Sequence, residues 1–224
     1  MAAPGNVSAF TYIFIIFTVI VTIITFRNRQ LFNSLSFHVH PILSDGQVYR
    51  ILSSMFLHVN GAHLIFNMFS FYSFALYMEI RFGFTLVLMI TFISGIIGNL
   101  LALLIHRNNP GYRAVGASGA VSGVIFASIF LLPGGSVIIF PVPIPIPSWL
   151  FAILFILISI YGIGRSAGNI GHEAHLGGAL AGIAMAVLFQ PLIIQQQALL
   201  LIGITIPVVV FLVYFLAANS KSHN

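Results

Sequence analysis

The 224-residue chain is 59% hydrophobic and 5% charged, with a mean hydropathy of +1.10; this excludes a soluble globular domain and describes an integral membrane protein. No cysteine is present, which excludes a disulfide framework, a thiolate nucleophile and any cysteine-based metal or redox site. The formal charge of +5 rests on eight scattered Lys and Arg residues without a polybasic run, a pattern suited to lipid headgroups and not to a nucleic-acid surface.

A helix needs about 20 apolar residues to cross a bilayer. Runs of that kind are predicted at about 9–26, 56–78, 84–105, 115–132, 148–164, 173–190 and 198–218. They are continuous and do not alternate as barrel strands would. The expected fold is therefore an all-α membrane protein, a polytopic helical bundle in one membrane domain over 1–224. The first run has no Lys or Arg before it and no small-residue cleavage pattern after it, so it reads as a retained helix rather than a removed signal.

Two connections stand out. Residues 27–55 form the longest, and their many apolar positions predict a segment packed on the bundle at the membrane interface. The stretch "FPVPIPIPSW", 140–149, has proline at 141, 143, 145 and 147. It cannot be helix and is expected to be a stiff extended spacer.

Polar residues inside apolar spans carry an energetic cost and so point to function. His58, His63 and Asn67 lie near the start of the second span, Ser118 near the start of the fourth and His175 near the start of the sixth. Those spans run in the same direction, which places the group at one end of the bundle. His63 and Asn67 are four apart and share a helix face. Gly116, Gly119 and Gly123 surround Ser118, while Gly178 and Gly182 follow His175 on much the same face. Small residues at this spacing let membrane helices approach closely, bringing Ser118 towards His175, and a serine beside a histidine is an activated nucleophile.

The acids are Asp45, Glu79 and Glu173. Glu173 points away from His175 on a helix, Glu79 lies at the far end of the second span, and Asp45 is in a loop, so a Ser/His dyad is expected without a carboxylate. No HExxH occurs, and His58 and His63 are at an awkward angle for shared coordination. Neither a metal nor another cofactor is called for.

At this point the sequence resembles a rhomboid intramembrane serine protease. The G-x-S-G pattern stands as Gly116-Ala117-Ser118-Gly119, the H-x(4)-H-x(3)-N pattern as His58, His63 and Asn67, and the A-H-x(2)-G-x(3)-G pattern as Ala174-His175, Gly178 and Gly182. An E-x-R pair similar to that of some members follows the second span as Glu79-Ile80-Arg81, a structural feature. Where the family shows Trp-Arg in the first loop, this chain has Tyr49-Arg50. The resemblance covers about 27–190. It implies a six-helix core, here about 9–190, plus an additional C-terminal transmembrane helix at about 198–218.

The resemblance further implies that Ser118 attacks the scissile carbonyl and His175 transfers its proton. His63, Asn67 and the Ser118 backbone N–H would stabilise the oxyanion. Gly116, Gly119 and Gly178 are expected as supporting positions, with His58 either supporting the loop and water path or simply packing. Substrates would be single-span or other transmembrane proteins cut near a helix end, with the lipid bilayer as the other partner. Access would pass the fifth span beneath "GIGRSAGNIG", 162–171, whose four glycines fit a flexible cap. The alternative is a non-catalytic rhomboid-like protein that binds transmembrane helices. A transporter would favour inverted repeats, and none is found.

The family implies a multi-pass protein of the cell membrane with its site on the extracytoplasmic side. Charge points the other way: Arg27, Arg29, Arg50, Arg107, Arg113, Arg165 and Lys221 fall at the site's end and Arg81 alone at the other, whereas positive residues normally stay cytoplasmic. Burial of several of these arginines in protein contacts would relieve the conflict.

Overall fold

A computed structural model describes residues 9–139, 142–165 and 171–221. In chain order the elements are α1 (Ala9–Arg27), α2 (Arg29–Leu35), β1 (Phe37–His38), α3 (Val39–Ser44), α4 (Arg50–Ser53), a 3-10 turn (Ser54–Phe56), α5 (Gly61–Phe82), α6 (Phe84–His106), β2 (Arg113–Ala114), α7 (Ser118–Leu131), β3 (Ser136–Ile139), β4 (Val142–Pro147), α8 (Ser148–Arg165), α9 (His172–Phe189), α10 (Ile193–Gln196) and α11 (Ala198–Lys221). The protein is a helical membrane bundle. Each of the seven predicted spans corresponds to one helix, of 14 to 24 residues. By length and apolarity alone, four helices among the described residues suffice to cross a bilayer: α1, α6, α9 and residues Ala198–Ala217 of α11.

α7 departs most from the expected span. Its 14 residues extend about 21 Å, short of the roughly 30 Å hydrocarbon thickness. Gly119 to Leu131 are all buried, as befits an apolar helix surrounded by others. The outer helices present apolar residues outward, among them Ile13, Ile20, Leu157, Ile158, Val210 and Val213, a surface that suits lipid contact.

Glycine sets the spacing at the centre. A Cβ on Gly178 would land on the Gly119 carbonyl, and one on Gly182 on the Gly123 carbonyl. These matched pairs run α7 and α9 parallel, as the small-residue spacing predicted. A Cβ on Gly98 would lie 2.5 Å from the Ala174 carbonyl oxygen, so α6 closes the trio. Lipid tails are as apolar as side chains, and such backbone proximity replaces the hydrophobic drive that would hold helices together in water.

The 27–55 connection packs on the bundle as expected, as a series of short elements. β1 pairs antiparallel with β2, Phe37 opposite Ala114 and His38 opposite Arg113, and Phe37, Val39 and Ile42 form a small core with Ala102 of α6. The Tyr49-Arg50 pair holds this layer together. Arg50 is buried, donating from Nε to Gln47 Oε1 at 2.7 Å and from Nη1 to the carbonyls of Asn33 and Ser36, both at 2.8 Å. Tyr49 Oη donates to the Ser34 carbonyl at 3.1 Å.

Of the proline-rich stretch, Val142–Pro147 are extended as expected, but as a paired strand and not a lone spacer, and Ser148 and Trp149 already belong to α8. β4 pairs antiparallel with β3, Val137 opposite Ile146 and Ile139 opposite Val142. The prolines at 143, 145 and 147 alternate with Val142, Ile144 and Ile146. One edge of the strand therefore needs no donors while the other keeps its N–H groups for pairing. Of the expected cap at 162–171, residues 162–165 instead continue α8, and 166–170 lie outside the described residues.

Glu79 is structural, as expected, and its partner is α1, not Arg81. Its carboxylate accepts the Phe10 N–H at 2.9 Å, the Thr11 N–H at 2.8 Å and the Thr11 hydroxyl at 2.6 Å, satisfying orphan donors in the first turn of α1.

Replacing Gly178 with valine is expected to destabilise the bundle by about 3 kcal/mol or more, since overpacking here meets backbone and not a yielding side chain. Gly203→Ala on α11, where a Cβ meets nothing within 4 Å, is expected to stay within about 1 kcal/mol of wild type. Thermal unfolding of both variants in detergent checks the contrast.

Candidate functional site

Ser118 is the first residue of α7 and half-buried. The first N–H groups of a helix lack intrahelical partners and carry its positive dipole end. The chain arrives through Gly116 at φ +135°, a conformation that disfavours a side chain. A Cβ there would lie 2.8 Å from His63 Cε1, 3.1 Å from His63 Nε2 and 3.8 Å from Ser118 Oγ. The imidazole of His63 and the hydroxyl of Ser118 therefore flank one glycine, across a space that only hydrogen leaves open. The Gly116 N–H donates to the Ser54 carbonyl at 3.0 Å.

His175 lies in the first turn of α9, its N–H donating to the Gly171 carbonyl at 3.2 Å. Its ring packs 5.5 Å from that of Phe155 and 5.7 Å from that of His172. The Ala174 carbonyl oxygen would lie 3.1 Å from a Cβ on Gly119, so the residues next to Ser118 and His175 touch. No hydrogen bond joins the two side chains among the described residues. Packing brings them to the same end of the bundle without closing a dyad bond.

His63 receives an Asn60 cap, Oδ1 accepting its N–H at 2.8 Å, and its buried Nδ1 has no partner among the described residues. Asn67 is buried and donates one N–H to the His63 carbonyl at 3.0 Å; an amide has a second N–H to offer. His58 is fully buried and meets His63 edge to face at 4.9 Å. Thr22 of α1 lies 3.1 Å from His58 Nδ1 and donates its single proton to the Phe56 carbonyl at 3.0 Å. His58 Nδ1 must then carry the proton that Thr22 accepts, leaving Nε2 as a buried lone pair. His58 thus supports His63 from behind.

The acids lie away from His175, as the helical arithmetic indicated. Glu173 pairs with His106 Nε2 at 2.9 Å and accepts from Tyr112 Oη at 3.4 Å, while the His106 and Tyr112 rings stack at 3.6 Å. Burial first, then the Glu173 charge, pushes the Tyr112 hydroxyl above its ordinary pKa, which keeps it a donor. This cluster ties the end of α6, the 107–117 connection and the start of α9 together. Asp45 is exposed.

Reading from the sequence missed several contributors. Asn99 of α6 carried a signal, being polar inside an apolar span. Thr22 carried less, because a threonine in a membrane helix usually bonds its own backbone. His106 and Tyr112 flank a connection and gave none.

The family model for the rhomboid domain matches residues 45–192. The chain is similar to "Rhomboid-like protease 3" of Toxoplasma gondii, 33% identical over 145 residues that cover 65% of this chain and 53% of the relative. It is also similar to "RHOMBOID-like protein 12, mitochondrial" of Arabidopsis thaliana, 30% identical over 159 residues covering 63% and 47%. "Rhomboid protease GluP" of Bacillus subtilis is 27% identical over 148 residues covering 66% and 27%. The chain thus spans about half the length of the first two relatives.

Truncating Glu173 to alanine leaves His106 and Tyr112 without their shared acceptor, and is expected to cost about 1–3 kcal/mol. Asp45→Ala at the exposed loop is expected to change stability by less than about 0.5 kcal/mol. Unfolding midpoints of the two variants measure the difference.

Proposed function

The chain belongs to the rhomboid family, and on that premise we propose that it is an intramembrane serine endopeptidase whose nucleophile is Ser118 and whose base is His175. The observation that carries this reading is the convergence of Ser118, His63 and His175 at the starts of three helices, with glycine contacts between α7 and α9 setting their approach. Ser118 Oγ attacks the scissile carbonyl as His175 accepts its proton, and the imidazolium then protonates the leaving amine. Water hydrolyses the acyl-enzyme by the same route. The developing oxyanion is held by His63, by the second N–H of Asn67 and by the Ser118 backbone N–H. The missing serine–histidine hydrogen bond forms when substrate binds, since such bonds are often long in free enzymes.

The whole chain acts as one membrane domain, with the core at about 9–190 and α11 as the additional helix. The seven helices traverse the membrane in turn, and the short α7 covers only part of its thickness, so Ser118 at its start lies below the surface. Substrates are single-span or other transmembrane proteins that unwind locally to expose a carbonyl, favouring weak helix formers near the cut. They reach Ser118 beside α8.

The site faces the extracytoplasmic side of the cell membrane. Among the described arginines at this end only Arg50 is buried, while Arg27, Arg29, Arg107 and Arg113 are exposed. The expectation that several would be buried is therefore corrected to one, because only Arg50 meets a cluster of carbonyls. His38 adds little charge, since burial and the neighbouring Arg113 and Arg50 hold its pKa down.

Purified wild type is expected to cut a single-span reporter near its helix end, and Ser118→Ala and His175→Ala to be silent. His63→Ala or Asn67→Ala is expected to slow cleavage roughly 10²-fold. Cutting by Ser118→Ala would end the proposal; binding without cutting by wild type would favour the non-catalytic helix binder. Because the chain lacks cysteine, Asp45→Cys provides a single thiol in the site-side loop. Its reaction with a membrane-impermeant maleimide on intact cells is expected, and protection until lysis would reverse the orientation.

A further inference from the structure

α6 lies within the apolar bundle yet carries Asn99, which is 8% exposed. A buried amide is costly unless hydrogen-bonded. Its Nδ2 reaches the Ile51 carbonyl at 2.7 Å and Ser54 Oγ at 3.1 Å. Both partners belong to the α4 and 3-10 segment, 48 and 45 residues earlier in the chain. Ser54 is itself 1% exposed, and its carbonyl accepts the Gly116 N–H at 3.0 Å. A continuous relay therefore runs from α6 through Ser54 to the backbone two residues before Ser118.

The neighbouring residues show why this anchor matters. Gly95, one turn before Asn99, is covered by Met55, and a Cβ there would lie 3.3 Å from Ala120 of α7. Gly98 abuts Ala174, next to His175. One stretch of α6 thus contacts α7, α9 and the segment that holds Gly116. Helix packing locates the two helices, but the Ser118 turn enters through a positive-φ glycine and needs its own fixed point. We propose that Asn99 is a positioning residue for Ser118: acting through Ile51 and Ser54, it sets the Gly116 turn and with it the placement of the hydroxyl opposite His63. This rests on Ser118 being the nucleophile.

The test compares wild type, Ser118→Ala, Asn99→Leu, Asn99→Asp and Ser54→Ala in detergent. Three quantities are read: the second-order rate of labelling by a fluorophosphonate, kcat and KM on the single-span reporter, and Tm. Asn99→Leu is expected to lower both labelling and kcat about tenfold or more, because small misplacements of a reacting group are costly, with KM within about twofold. Ser54→Ala, which keeps the Ile51 bond and the Ser54 carbonyl, is expected to lose less. Asn99→Asp supplies a readout that packing alone would not move. A protonated carboxyl donates a hydrogen bond and an ionised one cannot, so its labelling is expected to fall as pH rises by more than the accompanying fall in Tm explains, opposite to wild type, whose serine grows more reactive as its base deprotonates.

Wild-type labelling rates in Asn99→Leu would overturn the proposal while leaving the nucleophile assignment intact. So would losses that only follow Tm, or a wild-type pH profile in Asn99→Asp. Should Asn99→Leu fail to fold, Asn99→Asp and Ser54→Ala decide by the same criteria. Absence of labelling in wild type, or equal labelling in Ser118→Ala, would remove Ser118 as nucleophile and this inference with it.

Discussion

Close backbone contact between α6, α7 and α9, made possible by glycine at 98, 119, 123, 178 and 182, is the constraint on which the other features depend. In a bilayer, helices gain little from hiding apolar surface from one another, and dispersion and polar contacts between near backbones take over. Gly178 against the Gly119 carbonyl and Gly182 against the Gly123 carbonyl leave α7 and α9 one way to lie together. That register delivers Ser118 and His175 to the same end. It also sinks the short α7 into the centre, where every residue after Ser118 is buried.

Polar groups in such a medium gain from finding partners, and several do so by linking elements distant in sequence. Glu79 closes the first turn of α1, Arg50 gathers the carbonyls of the first loop, Glu173 joins α6 to α9, and Asn99 reaches the 3-10 turn. Each bond stands where water is scarce, so its loss leaves an unsatisfied group and not merely a weaker contact. The site is assembled by the same means. His63 is capped by Asn60 and backed by His58, which is in turn fixed by Thr22.

Much of the architecture was legible beforehand because membrane helices announce themselves as continuous apolar runs. Glycine spacing also announced which faces meet. The pairing of β3 with β4 is not legible in the extended proline-rich stretch, because proline forbids helix but does not say what the strand pairs with. The His106, Tyr112 and Glu173 cluster was not legible at all: its members lie 61 and 67 residues apart for the two contacts with Glu173, and nothing local relates them. Asn99 could be flagged as an anomalous polar residue, yet its partners could not be named.

By itself the sequence determined the solvent, the class of fold, the family resemblance and the candidate site residues, since these follow from composition, run length and short-range spacing along a helix. Tertiary structure decided which of those residues touch, that Ser118 and His63 flank Gly116, that the acids turn away from His175, and what anchors the turn before Ser118. Those are distances between elements that the chain separates by tens of residues. Only the packing of backbones through glycine, together with the need to satisfy buried polar groups, fixes them.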